Sequence, residues 1–290
     1  MHPVARVRSF NRSVTSRIGA LDARFLGRRS LGACRLLFEI GPPGAEIRSL
    51  RAHLGLDSGY LSRLLRGLER EGLVRTGPAP GDARVRWASL TAAGRRELAT
   101  LNRLSDESAA SMLAPLSERQ RTALTDAMAT VERLLLASAV RIDVEDVDSG
   151  DARHCLARYF DEISTRFETT FDPARSISAT NEELTPPKGW FLVARLQGEP
   201  VGCGALKLTG AGRADVKRMW VAESARGLGL GRRILHSLEE LARQHGVGVL
   251  RLETNRALTE AQALYRASGY REVPAFNAEP YAHHWFEKVL

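Results

Sequence analysis

Residues 225–235 read Ala-Arg-Gly-Leu-Gly-Leu-Gly-Arg-Arg-Ile-Leu, or ARGLGLGRRIL. Three glycines alternate with two leucines between a strand-like stretch, ADVKRMWV (214–221), and a run of helical spacing that extends to about Gln244. Bare backbone at such a junction suits an anion. Unhindered N–H groups approach it closely, and the helix N-terminus adds partial positive charge. The spacing rules out two nucleotide motifs. A G-x-x-x-x-G-K-S/T loop needs lysine where Arg232 follows Gly231. A G-x-G-x-x-G fingerprint needs a third glycine where Arg232 stands (counting from Gly227) or Ile234 (from Gly229). A flexible turn alone needs one glycine, not three in alternation.

Outward from the loop, Val140–Val144 alternates like an edge strand and residues 151–167 read as a helix. A polar, turn-rich loop over 169–189 precedes two strands, WFLVARL (190–196) and PVGCGALKL (200–208). After the loop helix come a strand ending at Asn255, a helix TEAQALYRASG (259–269) and a closing strand HHWFEKVL (283–290).

The run Arg226–Gly231 fits R-G-x-G-x-G, and Ala263-Leu-Tyr-Arg-Ala-Ser-Gly-Tyr270 fits A-L-Y-x-x-x-G-Y. Together, in this order, they resemble the GNAT acetyltransferases over residues 139–290. The resemblance implies an α/β fold with a mixed central sheet and acetyl-CoA as acyl donor. It implies that Arg226, Gly227, Leu228, Gly229, Leu230, Gly231 and Arg232 hold the pyrophosphate. Backbone groups of Met219, Trp220 and Val221 would pair with the pantetheine arm, helped by Asn255, Ala261 and Leu264. Tyr265 stands at the family's acid position, where a phenol protonates the leaving thiolate; as a bare sequence feature it equally reads as a core aromatic beside Leu264. Asp215 stands near the family's base, one methylene shorter than the usual glutamate, and fits a solvated strand end equally well. Arg166, Trp190, Tyr281 and His283 are candidates for the acceptor pocket. His283 and His284 point to opposite faces of a strand and make a poor metal pair, so no metal is expected.

The first half differs in character. Residues 1–141 carry 23 Arg, no Lys and 13 acidic residues, a net charge of +10, whereas 142–290 carry 19 basic and 21 acidic residues, a net of −2. A basic half beside a near-neutral half suggests a nucleic-acid module joined to something else. Helical spacing from Leu31 stops at Gly41-Pro42-Pro43, and Glu46–His53 forms a short second helix. A turn at Leu54–Gly59 then leads into YLSRLLRGLEREGLV (60–74). Leu61, Leu64, Leu65 and Leu68 recur at i, i+3, i+4 and i+7, opposite Tyr60, Ser62, Arg63 and Arg66. Two strand-like runs around GPAPGDAR form a hairpin, and long helices follow to about Leu113 and Ala139.

This order, with GYLSRLLRGLEREGLV, the D-x-R tip at Asp82–Arg84 and LTAAGRREL after it, resembles the MarR-type winged helix-turn-helix regulators over residues 1–138. The resemblance implies a mostly α domain that dimerises through its first and last helices. It places the third helix in the major groove of double-stranded DNA and the wing arginine, Arg84, in the minor groove. Ser58, Tyr60, Ser62 and Arg63 are base-edge or phosphate candidates, with Arg66 closer to phosphate. Any single arginine reads as well as helix solvation; the set, the wing and the charge asymmetry together do not.

Cys34, Cys155 and Cys203 are odd in number and far apart, as expected in a reducing cytoplasm. No membrane anchor or leader is expected. The leading expectation is a homodimeric regulator fused to an acetyltransferase for a small amine or amino acid. The alternative is a regulator whose catalytically inactive second domain senses acetyl-CoA or a small ligand.

Overall fold

The computed structural model describes residues 2–22, 24–168, 171–172, 175–177 and 179–290; of the loop expected over 169–189, residues 169, 170, 173, 174 and 178 lie outside them. Contacts divide the chain into two compact units, Met1–Asp126 and Ala127–Leu290.

In the first unit, α1 (Pro3–Arg17) precedes α2 (Leu31–Ile40), which buries Cys34, Leu36, Leu37 and Ile40. A two-residue strand, β1 (Ala45–Glu46), is too short to show in the sequence pattern. Then come α3 (Ile47–Leu54) and α4 (Ser58–Arg70). The Asp57 side chain caps α4, its Oδ1 accepting from Tyr60 N at 2.8 Å. Leu61, Leu65 and Leu68 of α4 are buried. Strands β2 (Val74–Ala79) and β3 (Asp82–Leu90) form the hairpin, and β1 adds to β3 to give a three-stranded antiparallel sheet. Helix α5 (Ala92–Leu113) starts against this sheet. A Cβ on Gly94 would lie 2.0 Å from the Leu73 carbonyl oxygen, so only glycine allows the approach. Helix α6 (Glu118–Ala139) runs across the division between the units and buries none of its residues.

The second unit is a seven-stranded sheet in the order β4-β5-β6-β7-β8-β10-β9. Its strands are β4 (Arg141–Glu145), β5 (Gly189–Leu196), β6 (Glu199–Gly210), β7 (Arg213–Val221), β8 (Val249–Thr254), β9 (Arg271–Val273) and β10 (His284–Val289). All pairs are antiparallel except β7 with β8, so the sheet is mixed. Helix α7 (Gly150–Arg166) covers one face, where Cys155 and Leu156 meet Phe191, Val193 and Cys203. Helices α8 (Leu230–Gln244) and α9 (Thr259–Ala267) pack on a second core with Trp190, Leu192, Leu206 and Phe286. Strand alternation divides β5 between the two cores, odd positions to one and even positions to the other. No helix of the described residues is long and apolar enough to cross a membrane.

Candidate active site

The site arises from a counting mismatch between β6 and β7. Cys203 faces Trp220 and Ala205 faces Lys217, so one residue of β6, Gly204, opposes two of β7, Arg218 and Met219. The surplus is a bulge, and Arg218 within it takes φ +53°, a left-handed conformation that a non-glycine residue adopts only under strain. Parallel pairing of β7 with β8 covers only Arg213–Asp215 and Val249–Arg251. Beyond that the two strands part.

Two connected hollows occupy the gap. The larger, about 570 Å³, runs along Met219, Trp220 and Val221 to the glycine loop and on to Ala261, Leu264 and Tyr265. Gly227, Gly229, Gly231, Arg226 and Arg232 line it, and Leu230 forms part of its floor. Gly227 and Gly229 have φ +78° and +71°, and Gly229 is the N-cap of α8. The loop therefore needs glycine for its conformation and aims a helix N-terminus into the hollow. The Leu228 side chain packs against the α8 core, which leaves its backbone in the loop.

Arg226 does not stand free. Its Nη2 donates to Glu162 at 2.7 Å, where Trp220 Nε1 also donates at 3.1 Å. Arg166 borders the same hollow, joined to Glu162 at 3.1 Å, to Glu260 at 2.7 Å and to the Ala257 carbonyl at 2.8 Å. It thus belongs beside the glycine loop rather than in the inner pocket.

The smaller hollow, about 110 Å³, lies inward. It is lined by Tyr159, Phe160, Phe167, Phe171 and Tyr281, with Lys217, Arg218, Glu253 and Tyr265. Tyr265 borders both hollows. Its hydroxyl makes no hydrogen bond to another described group. Burial, reinforced by Tyr159 and Glu253, pushes its phenol well above the ordinary tyrosine value, so the O–H persists at any working pH. Burial likewise pushes Tyr159 up to about 12.

Glu253 on β8 escaped the sequence reading. Its Oε1 accepts from Lys217 Nζ, and its Oε2 is buried with no partner among the described residues. A buried carboxylate oxygen without a donor is costly and points to a missing ligand or water. Nothing in RLETN marks it; only the parting of the strands does.

Several expected positions fall elsewhere. Asp215 lies within the paired part of β7, 3.7 Å from Lys217, and lines neither hollow. Burial raises its carboxyl, only partly offset by Lys217. Trp190 sits in the α8 core against His245, ring centroids 3.8 Å apart, because the even positions of β5 face away from α7. His283 is exposed and gives its backbone N–H to Thr254 O at 3.0 Å. Asn255 borders the inner hollow, yet its Nδ2 donates to Tyr281 O at 2.7 Å and its Oδ1 accepts from Ala257 N at 2.9 Å. Among the described residues no group of three or more His, Cys, Asp or Glu is placed to hold a metal.

With this geometry in view, comparison with known proteins is direct. The Acetyltransferase (GNAT) family matches residues 156–270. An uncharacterised N-acetyltransferase of Schizosaccharomyces pombe is 33% identical over 156 residues, 53% of this chain and 90% of that protein. The chain belongs to the GNAT acetyltransferases. Other GNAT relatives include the IAA acetyltransferase of Azospirillum brasilense, 44% identical over 92 residues; the match spans 31% of this chain and only 60% of that relative. The N-alpha-acetyltransferase RimI of Mycobacterium tuberculosis is 31% identical over 134 residues, 45% of this chain and 82% of that protein. Residues 1–155 lie outside the GNAT match.

On the first unit, Ser58, Tyr60, Ser62, Arg63 and Arg66 all lie exposed on α4, opposite its buried leucines. The Arg63 guanidinium lies 5.8 Å from the Tyr60 ring centroid. Ser62 Oγ donates to Ser58 O at 2.7 Å and Arg66 Nε to Ser62 O at 3.2 Å. At the exposed hairpin tip the Arg84 backbone N–H donates to Asp82 Oδ1 at 2.9 Å.

Proposed function

We propose that this chain transfers the acetyl group of acetyl-CoA to the nitrogen of a small amine or amino acid, with Glu253 as base and Tyr265 as acid. The observation that carries the reading is that both residues line one small hollow, one with a carboxylate oxygen and one with a hydroxyl that have no hydrogen-bond partner among the described residues. The residues fit the donor: a glycine loop with N–H groups for the pyrophosphate, and a β7 edge without a neighbour for the amides of the pantetheine arm. Bound acetyl-CoA supplies an activated thioester carbonyl. Glu253, directly or through one water, takes a proton from the acceptor ammonium, and the freed nitrogen forms the C–N bond. As the C–S bond breaks, Tyr265 gives its proton to the departing sulfur. Asp215, paired inside the sheet, takes no part in this proposal.

The first unit supports a DNA-binding, dimerising winged helix over residues 1–138. The exposed polar face of α4, the hairpin and the excess of arginine agree. Helix α1 buries nothing and exposes Val4, Val7, Phe10 and Val14 at helical spacing, a stripe suited to a second copy of the chain.

The deciding experiment is steady-state release of free CoA with a panel of amines and amino acids. Turnover supports the enzyme. Tight acetyl-CoA binding without turnover on any acceptor makes the second unit a sensor.

A further inference from the structure

One carboxylate ties the walls of the larger hollow together. Glu162, near the end of α7, accepts at Oε2 from Arg226 Nη2 at 2.7 Å and from Trp220 Nε1 at 3.1 Å, and at Oε1 from Arg166 Nη1 at 3.1 Å. Arg226 opens the glycine loop, Trp220 lies on the parted end of β7, and Arg166 is the last residue of α7. Arg166 carries the tie onward to Glu260 in the first turn of α9 and to the Ala257 carbonyl just before that helix. An exposed ion pair by itself contributes little. Here both oxygens of a partly buried carboxylate hold donors from separate elements, and such a network fixes a geometry that a lone pair does not.

The two arginines of the loop therefore differ. Arg226 is held along its whole length. Besides the bond to Glu162, its Nε donates to Val221 O at 3.3 Å and its backbone N–H to Glu223 O at 3.2 Å. Arg232 is exposed, lines the same hollow and pairs with no described group. The backbone N–H groups of Gly227, Leu228 and Gly229 also donate to nothing among the described residues. An anion at the loop thus finds its donors beyond Arg226, while the negative charge of Glu162 stands on the same hollow. That charge opposes an anion, so its place there calls for a compensating role. Ordering the loop is such a role. Two glycines in the left-handed region give the unbound loop much freedom to lose, and a brace that removes this freedom beforehand spares the ligand that cost.

We propose, on the reading that acetyl-CoA fills this hollow, that Glu162 is a positioning residue for the acyl donor. Through Arg226 it holds the glycine loop in its anion-binding form, and it leaves the diphosphate to the loop N–H groups and Arg232. Arg226 is then the far end of a brace and not a ligand of the diphosphate.

Glu162→Gln tests this, since it keeps the shape and one acceptor oxygen and removes the charge. Coenzyme A is titrated by calorimetry, and pantetheine, the arm without diphosphate or nucleotide, by nuclear magnetic resonance. Kd for coenzyme A should rise roughly tenfold, the usual weight of a charge-assisted hydrogen bond, while Kd for pantetheine stays within about threefold. Arg226→Gln should match Glu162→Gln. The double variant should bind coenzyme A no more weakly than either single one, because both cut the same brace. A substitution that only slackens the hollow raises both constants together, and that result overturns the assignment. Unchanged coenzyme A affinity in Glu162→Gln overturns it too. So does tighter binding, which would mean that the carboxylate kept Arg226 from the phosphates. Losses at Glu162 and Arg226 that add in full would put Arg226 on the diphosphate and also sink the brace. A wild-type chain that binds no coenzyme A overturns the donor reading itself, and the brace with it.

Discussion

Lys217 on β7 grips Glu253 on β8 two residues beyond the last paired position, Asp215 with Arg251. The ion pair closes the angle where the strands part, and both side chains are about nine-tenths buried. It holds one carboxylate oxygen and leaves the other buried without a partner among the described residues, on a side chain that lines the inner hollow. Removing Lys217 would strand a buried charge, at a cost of ~3–5 kcal/mol. Removing the charge on Glu253 while keeping its shape is the gentler probe.

Glu253→Gln and Tyr265→Phe should each lower kcat by ~10²-fold or more, the usual weight of a general base or acid. Acetyl-CoA affinity should change little in either. Tyr265→Phe should also leave the melting temperature nearly unchanged, because its hydroxyl has no described partner to lose. Burial raises the Tyr265 phenol, so the protonated acid outlasts an ordinary tyrosine as pH rises. The wild-type rate should therefore hold level up to pH ~10 rather than fall there. Stopped-time assays from about pH 6 to about pH 10 would expose an alkaline limb if the acid were an unburied group.

Asp215→Asn separates the paired carboxylate from the reacting one. Burial raises the Asp215 carboxyl, so the folded state prefers it protonated and its ionised form opposes folding. That penalty is absent below the ordinary carboxylate range, near pH ~4, and present above the raised folded value. The variant should melt at the same or a higher temperature than wild type at pH 7, with the gain fading on acidification. Its kcat should stay within about threefold, far from the ~10²-fold of a lost base; a drop as large as that of Glu253→Gln would restore Asp215 as the base.

Gly229→Val attacks the loop through its backbone. A Cβ there meets nothing within 4 Å, but φ of +71° is unfavourable for a β-branched residue. The loop N–H groups should turn away and acetyl-CoA affinity should fall by roughly tenfold or more, as when two charge-assisted hydrogen bonds are lost. Calorimetry giving wild-type affinity would reduce the loop to a turn.

Arg63→Ala and Arg84→Ala test the first unit. Loss of a base-edge contact at Arg63 should cost ~1–3 kcal/mol and relax sequence preference at one position of each half-site. Loss of Arg84 should weaken binding more evenly and flatten its salt dependence, since fewer counterions are released. Gel shifts at several salt concentrations on the promoter of its own gene distinguish the two. Wild-type protein with no preference over random duplex at any salt would make the first unit a dimerisation scaffold.

The parts legible in the sequence were local ones. ARGLGLGRRIL and ALYRASGY carry their geometry in a few adjacent residues, and the leucine spacing of α4 marks its buried face. What escaped was relational. The bulge at Arg218 exists only in the register of β7 against β6, and no pattern within ADVKRMWV shows an extra residue. Glu253 looks like any polar position of an alternating strand until β8 is seen leaving β7. Trp190, a candidate for the acceptor pocket, lies in the α8 core, and nothing within WFLVARL tells which face of β5 meets which helix. β1 and β9, of two and three residues, were too short for a period to appear.

The parting of β7 from β8 also makes the sheet a ladder with rungs left out. Whatever lays its own amides along Met219 to Val221 completes the ladder, and completion is available only to the folded chain. By mass action the melting temperature then becomes a gauge of the filling molecule's concentration. A hundredfold excess over Kd adds about 2.7 kcal/mol to the folding free energy, and each further tenfold adds about 1.4. Thermal melts against increasing CoA would read this directly, with no acceptor known.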